Sequence, residues 1–254
     1  MTPLLEIKDA SRQFGGLHAV EGFSGCVKRG ERVGLIGPNG AGKTTLFNLI
    51  TCFTPLSSGA VIFDDADISS LKAFQVARLG VARTFQNLRV MPNLSVFDNV
   101  SIGALGALGH SPWAALFRRH NYANDIGRRT WEALERAGLQ DHASELAANL
   151  SYGKRKYLEI ARALALSPRL LILDEPAAGL NDTETAQLGE FVRQLSDEGL
   201  SILLVEHDMN FVMSLCERIM VMASGRKIAD GTPPEISRNP QVLEAYLGSD
   251  EEAS

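Results

Sequence analysis

The segment Gly37-Pro38-Asn39-Gly40-Ala41-Gly42-Lys43-Thr44 has the spacing G-x-x-x-x-G-K-[ST], and the chemistry of that pattern is capture of a polyphosphate. Glycines let the backbone curl until successive N–H groups face the phosphate oxygens. Lys43 brings a positive charge to the β- and γ-oxygens, and the Thr44 hydroxyl is a ligand for Mg²⁺. From Thr45 to Ile50 the text continues as a helix, whose N-terminus adds favourable partial charge. A glycine-rich turn that merely precedes a lysine is the plain alternative. The apolar run Val33-Gly34-Leu35-Ile36 before the loop and the helix after it favour nucleotide binding instead.

A second run, Leu170-Leu171-Ile172-Leu173, ends in Asp174-Glu175-Pro176 and so places two carboxylates where a buried strand stops. Asp174 suits a role in holding Mg²⁺, and Glu175 one in orienting and activating an attacking water. Pro176 ends the strand ladder and forces the exit. An acidic strand-to-loop turn is common by itself, but downstream of a phosphate loop it reads as catalytic. A third run, Ile202-Leu203-Leu204-Val205, leads into Glu206-His207-Asp208. Open α/β sheets place ligands at the C-terminal ends of their strands, so His207 is a further candidate.

Alternating strand and helix signals are expected to give an α/β fold, a sheet covered by helices. Residues 1–86 and 167–230 are read as the nucleotide-binding core, and 87–166, rich in helix formers, as an inserted helical subdomain. Within it, Ser95–Leu105 and Asn121–Ala137 read as helices with Pro112 between them. A short strand, Arg226–Asp230, precedes a C-terminal helical tail in 231–254, read as helical over Pro234–Leu247. The acidic end, Asp250–Glu252, is expected to be solvated.

Composition narrows the classes. With 254 residues and 45% hydrophobic residues the chain can bury a full core without disulfides or metals. A net charge of −5 argues against a nucleic-acid partner. Cys26, Cys52 and Cys216 are odd in number and far apart, which favours free thiols in a reducing cytosol. No Cys/His spacing suggests zinc, no run of about 18 apolar residues occurs, and the N-terminus lacks the design of a signal peptide. A soluble cytoplasmic protein is expected.

Asn149-Leu150-Ser151-Tyr152-Gly153-Lys154 resembles the signature of ATP-binding cassette (ABC) ATPases, and the resemblance extends from about Leu4 to Leu247. Ser151 stands as an N-cap before a helix over Lys154–Leu166, and Gly153 permits close approach of an anion. That is a second phosphate site which one ATP cannot share with the first loop inside one chain. The resemblance implies a head-to-tail dimer, with Ser151 and Gly153 closing over ATP held by the other subunit. It also implies a P-loop core with a β-rich edge subdomain and an inserted α-helical subdomain, and ATP with Mg²⁺ as cofactors. Gln86 resembles the Q-loop glutamine that senses Mg²⁺ and water, His207 the switch histidine and Phe14 the aromatic that stacks on adenine. Tyr152 and Lys154 depart from the commoner Gly and Gln of the signature, and Asn181 from a more usual aspartate. These departures bear on communication across the dimer and leave Lys43, Asp174, Glu175 and His207 intact, so active hydrolysis is expected.

Arg83-Thr84-Phe85-Gln86-Asn87, the long insert before the signature, the stretch Asp174–Asn181 and the tail from Gly231-Thr232-Pro233 to Glu244-Ala245-Tyr246-Leu247-Gly248 are similar to ATPases of bacterial branched-chain amino acid importers. That likeness implies two transmembrane permease subunits, a periplasmic binding protein, a second copy or a paralogous ATPase as dimer partner, and a place at the cytoplasmic face of the membrane. Importers of urea, amides and other amino acids use similar subunits, as does lipopolysaccharide export. A non-transport ABC ATPase is the competing class. It is disfavoured because the chain has neither a long coiled coil nor a second cassette in tandem.

Overall fold

Short apolar runs bounded by Gly, Pro and polar residues become strands, and the capped amphipathic stretches between them become helices. The computed structural model describes residues 2–86, 88–107 and 119–251. The strands are β1 (Leu5–Phe14), β2 (Leu17–Val27), β3 (Arg32–Ile36), β4 (Ser58–Phe63), β5 (Ala66–Asp67), β6 (Val81–Arg83), β7 (Leu170–Asp174), β8 (Ser201–Val205), β9 (Arg218–Ala223) and β10 (Arg226–Gly231). The helices are α1 (Lys43–Ile50), α2 (Ala73–Leu79), α3 (Val96–Ala107), α4 (Arg119–Arg136), α5 (Tyr152–Leu164), α6 (Asp182–Asp197), α7 (Met209–Leu215), α8 (Pro233–Ser237) and α9 (Pro240–Glu251).

The chain divides into two units, one of Met1–Val76 with Val192–Ser254 and one of Ala77–Phe191. In the first, β2-β1-β4-β5 form an antiparallel sheet. Its other strands run in the order β10-β9-β3-β8, with β3 parallel to both β8 and β9. Every residue of β8 is buried, as are Val33, Leu35 and Ile36 of β3. Each such fully buried aliphatic side chain contributes about 1.5–3 kcal/mol. This is why these runs are apolar throughout rather than alternating.

In the second unit β6 lies parallel to β7, with Val81 opposite Leu170 and Arg83 opposite Ile172. Helices α3, α4 and α5 pack on one another. Ser95 caps α3 by accepting from the Asp98 N–H at 3.0 Å. The fully buried Asn99 ties the preceding loop down through Met91 N–H and the carbonyls of Met91 and Ser95.

The expected helices at Ser95–Leu105 and Asn121–Ala137 form as α3 and α4, and the expected strand as β10. Pro112, Asn87 and Glu252 lie outside the described residues. The helical tail forms as two helices, α8 and α9. Asn239 precedes Pro240, which disfavours helical backbone at that point, and its side chain accepts from Gln241 N–H as α9 restarts. No helix among the described residues is long and apolar enough to cross a membrane.

Candidate nucleotide site

In the first unit β3 delivers the chain to the phosphate loop. Gly42 is the N-cap of α1 with φ +99°, and a Cβ there would stand 2.3 Å from the Ala19 carbonyl, so the turn admits only glycine. Lys43 is 7% exposed, and its Nζ donates to the carbonyls of Gly37 at 2.7 Å and Pro38 at 2.9 Å. Gly225 N–H donates to the Ala41 carbonyl, so the β9–β10 turn braces the loop from behind. Asn39, Gly40 and Thr44 are exposed and Thr45 is half-buried. Gly37 N–H bonds the Tyr246 hydroxyl of α9, whose titration is pushed up by burial.

His207 leaves the C-terminal end of β8, the parallel neighbour of β3, and is exposed. Its N–H bonds the carboxylate of the buried Glu206, and Asp208 then caps α7 through Asn210 N–H and Phe211 N–H. Phe14 ends β1 with 47% of its surface exposed and the Arg12 guanidinium 4.5 Å from its ring centroid. A large aromatic left in solvent at a strand end is available for stacking.

The second unit gathers the remaining candidates around the end of β7. Gln86 Nε2 donates to Glu175 Oε2 at 2.8 Å. Glu175 has φ +49°, a left-handed conformation that costs a non-glycine residue about 1–3 kcal/mol. Asp174 Oδ2 accepts from Arg83 Nη2 at 2.8 Å, with both side chains buried, and Asp174 N–H bonds Thr84 Oγ1. Ser151 caps α5, as its sequence position predicts, by accepting from Lys154 N–H at 3.3 Å. A Cβ on Gly153 would stand 2.9 Å from the Glu184 carboxylate, so its close neighbour within this unit is itself an anion.

Sequence reasoning missed several residues here. Arg83 pairs with Asp174. Lys156, 3% exposed, donates through Nζ to the Glu175 carbonyl at 3.2 Å. Glu159, also 3% exposed, accepts from Phe85 N–H at 3.3 Å, and from Arg89 N–H on the other side of Gln86. Burial holds the Glu159 carboxyl above the usual carboxylate range. A signal was present: Lys156 and Glu159 are three residues apart on the stripe that also carries Ile160 and Ala163. Charges on an otherwise apolar stripe have work to do.

Comparison with known proteins agrees with this chemistry. A profile of the ABC transporter family matches residues 20–178, and one described as branched-chain amino acid ATP-binding cassette transporter matches residues 226–252. The chain is 42% identical over 252 residues to the high-affinity branched-chain amino acid transport ATP-binding protein LivG of Escherichia coli (strain K12), covering 97% of this chain and 98% of the relative. To the corresponding protein BraF of Pseudomonas aeruginosa it is 40% identical over 250 residues, with the same shares covered. Among solved structures, the ADP conformation of MJ1267, an ATP-binding cassette of an ABC transporter, gives a TM-score of 0.87 at 30% identity, covering 98% of this chain and all (100%) of that one.

The phosphate loop, the carboxylate pair and the signature on this α/β fold define an ATP-binding cassette ATPase. Within that class the chain belongs to the ABC transporter family, beside the branched-chain amino acid transport ATP-binding proteins it resembles, and it hydrolyses ATP to drive transport.

Proposed function

We propose that the chain powers import of branched-chain amino acids as one of two ATPase subunits docked at the cytoplasmic face of a membrane. The partner ATPase is a second copy or a paralogue, two permease subunits form the path, and a periplasmic binding protein delivers the cargo. The observation that carries this reading is the match of the last segment, β10 through α9, to the branched-chain amino acid cassette profile. Purifying the tagged chain from gently solubilised membranes tests it. Two multi-spanning subunits and a second cassette should co-purify, and recovery of ribosomes or DNA-repair factors in their place would sink the transporter reading.

In this reading Gly37, Pro38, Asn39, Gly40, Ala41, Gly42, Lys43, Thr44 and Thr45 hold the phosphates, and Ser151 and Gly153 close over ATP bound to the partner subunit. Glu175 takes a proton from the attacking water, Gln86 orients Glu175 and the water, and His207 steadies the γ-phosphate. Mg²⁺ would be held by the Thr44 hydroxyl, the Asp174 carboxylate and the Gln86 amide. These donors are all oxygen, as a hard divalent cation requires. Because Gln86 donates through Nε2, its amide oxygen is the atom left for a cation. When bound, the ion neutralises charge on the β- and γ-oxygens. Arg83 fixes the Asp174 carboxylate in place on its buried side.

Phe14 supplies the adenine platform in this scheme. Phe14→Ala should weaken ATP binding by about 0.5–1.5 kcal/mol, read by titration with a fluorescent nucleotide. The melting temperature should stay the same, because the ring is half exposed. An unchanged affinity would remove Phe14 from the site.

A further inference from the structure

We propose that Tyr152 is a positioning residue that ties the signature turn to the loop leaving β7, so that engagement of Ser151 and Gly153 is transmitted to Glu175 within the same subunit. The inference rests on the reading of the signature and of Glu175 given above. Three observations carry it, all within one unit of the fold.

First, the Tyr152 hydroxyl donates to the Ala178 carbonyl at 3.2 Å. The ring lies directly on Gly179, where a Cβ would come within 2.9 Å of Cε1 and 3.2 Å of Cζ. Gly179 has φ +82°, so a larger residue there would be strained in its backbone and would push the ring away.

Second, the turn is held at another point. The missing Cβ of Gly153 admits Glu184 Oε1, while Glu184 Oε2 accepts from Asn181 N–H at 3.1 Å and Asn181 Oδ1 accepts from Glu184 N–H at 3.0 Å. That reciprocal pair fixes the start of α6, and through it the loop from Ala177 to Asn181, against the signature.

Third, Lys156 lies one turn along α5 with its Nζ 5.7 Å from the Tyr152 ring centroid, and the same ammonium donates to the Glu175 carbonyl. The first two turns of α5 therefore grip the segment from Glu175 to Glu184 at its beginning, middle and end. A glycine at position 152 could make neither the ring contact nor the hydroxyl bond. The residue is also 46% exposed, which is a poor use of a tyrosine if core packing were its purpose.

The test compares full-length Tyr152→Phe and Tyr152→Gly with the wild-type chain in steady-state ATP hydrolysis, with melting temperature measured in parallel. Tyr152→Phe, which keeps the ring and loses one hydrogen bond, should lower kcat about 3- to 10-fold with KM for ATP unchanged. Tyr152→Gly should lower it further, again without a matching rise in KM. If Tyr152→Gly does not fold, Tyr152→Phe alone carries the test. Unchanged kcat in Tyr152→Phe overturns the proposal, and so does a loss of melting temperature with kcat and KM worsening together, which is what a merely structural ring would give. Glu175→Gln, run alongside, separates the two ideas. An inert Glu175→Gln beside a normal Tyr152→Phe defeats only the link, whereas a fully active Glu175→Gln defeats the reading on which the link rests.

Discussion

Glu175→Gln is expected to hydrolyse ATP about 10²- to 10⁴-fold more slowly than the wild type, the range lost when a positioned general base is removed, while binding ATP with unchanged affinity. The structure explains why the effect should be confined to the chemical step. Glu175 is held at both ends by three donors: its carboxylate by Gln86 Nε2 at 2.8 Å, and its carbonyl by Lys156 Nζ at 3.2 Å and by the returning Ala178 N–H. Gln is isosteric and offers an amide oxygen to Gln86, so the left-handed backbone at φ +49° and the contacts around it should persist. What disappears is the capacity to accept a proton. With chemistry blocked and binding intact, the ATP-bound two-subunit state should accumulate. It should elute from a sizing column at twice the mass seen with ADP. Turnover at the wild-type rate would move the base to another residue. Loss of ATP binding together with turnover would instead show that the side chain holds the site together rather than performing the reaction.

The two motifs that gave the reading its direction were legible because they are local. Eight consecutive residues specify the phosphate loop, and Gly42 occurs where only glycine fits against Ala19. The carboxylates lie at the end of a run whose every residue is buried in β7. Tertiary contacts are what the sequence hid. Arg83 and Asp174 are 91 positions apart, and Phe85 and Glu159 are 74 apart. Nothing in either stretch alone marks them as partners.

The conformation of Glu175 was hidden as well, since a residue before proline ordinarily takes extended backbone and here does not. Two of the three departures from the family's usual residues gain a meaning from the structure that spacing could not supply. Asn181 caps α6 as well as an aspartate would, and Tyr152 finds Ala178 and Gly179. The third, Lys154, sets its Nζ 2.6 Å from His142 Nε2, in a contact 12 residues back along the chain.

Lys43→Ala should weaken ATP binding by about 10- to 100-fold, the equivalent of one charge-assisted hydrogen bond of about 1.5–3 kcal/mol. The loss should be larger for ATP than for ADP, because the ammonium serves the β- and γ-oxygens together. Nζ donates to the carbonyls of Gly37 and Pro38, and the residue is almost wholly buried. The lysine therefore ties the loop's own carbonyls together as well as bringing its charge to the phosphates. Truncation removes both functions, so Lys43→Met is the necessary companion: it keeps the aliphatic stem in its buried channel and deletes only the charge. Calorimetric titration of both variants with ATP and ADP separates the two contributions. Equal losses for the two nucleotides in Lys43→Ala, with near-normal binding in Lys43→Met, would mean that the stem's packing shapes the loop and the charge adds little. A preferential loss of ATP binding in both variants is the result that electrostatic capture of the γ-phosphate requires, and unchanged affinity in both would leave the eight-residue motif without its phosphate.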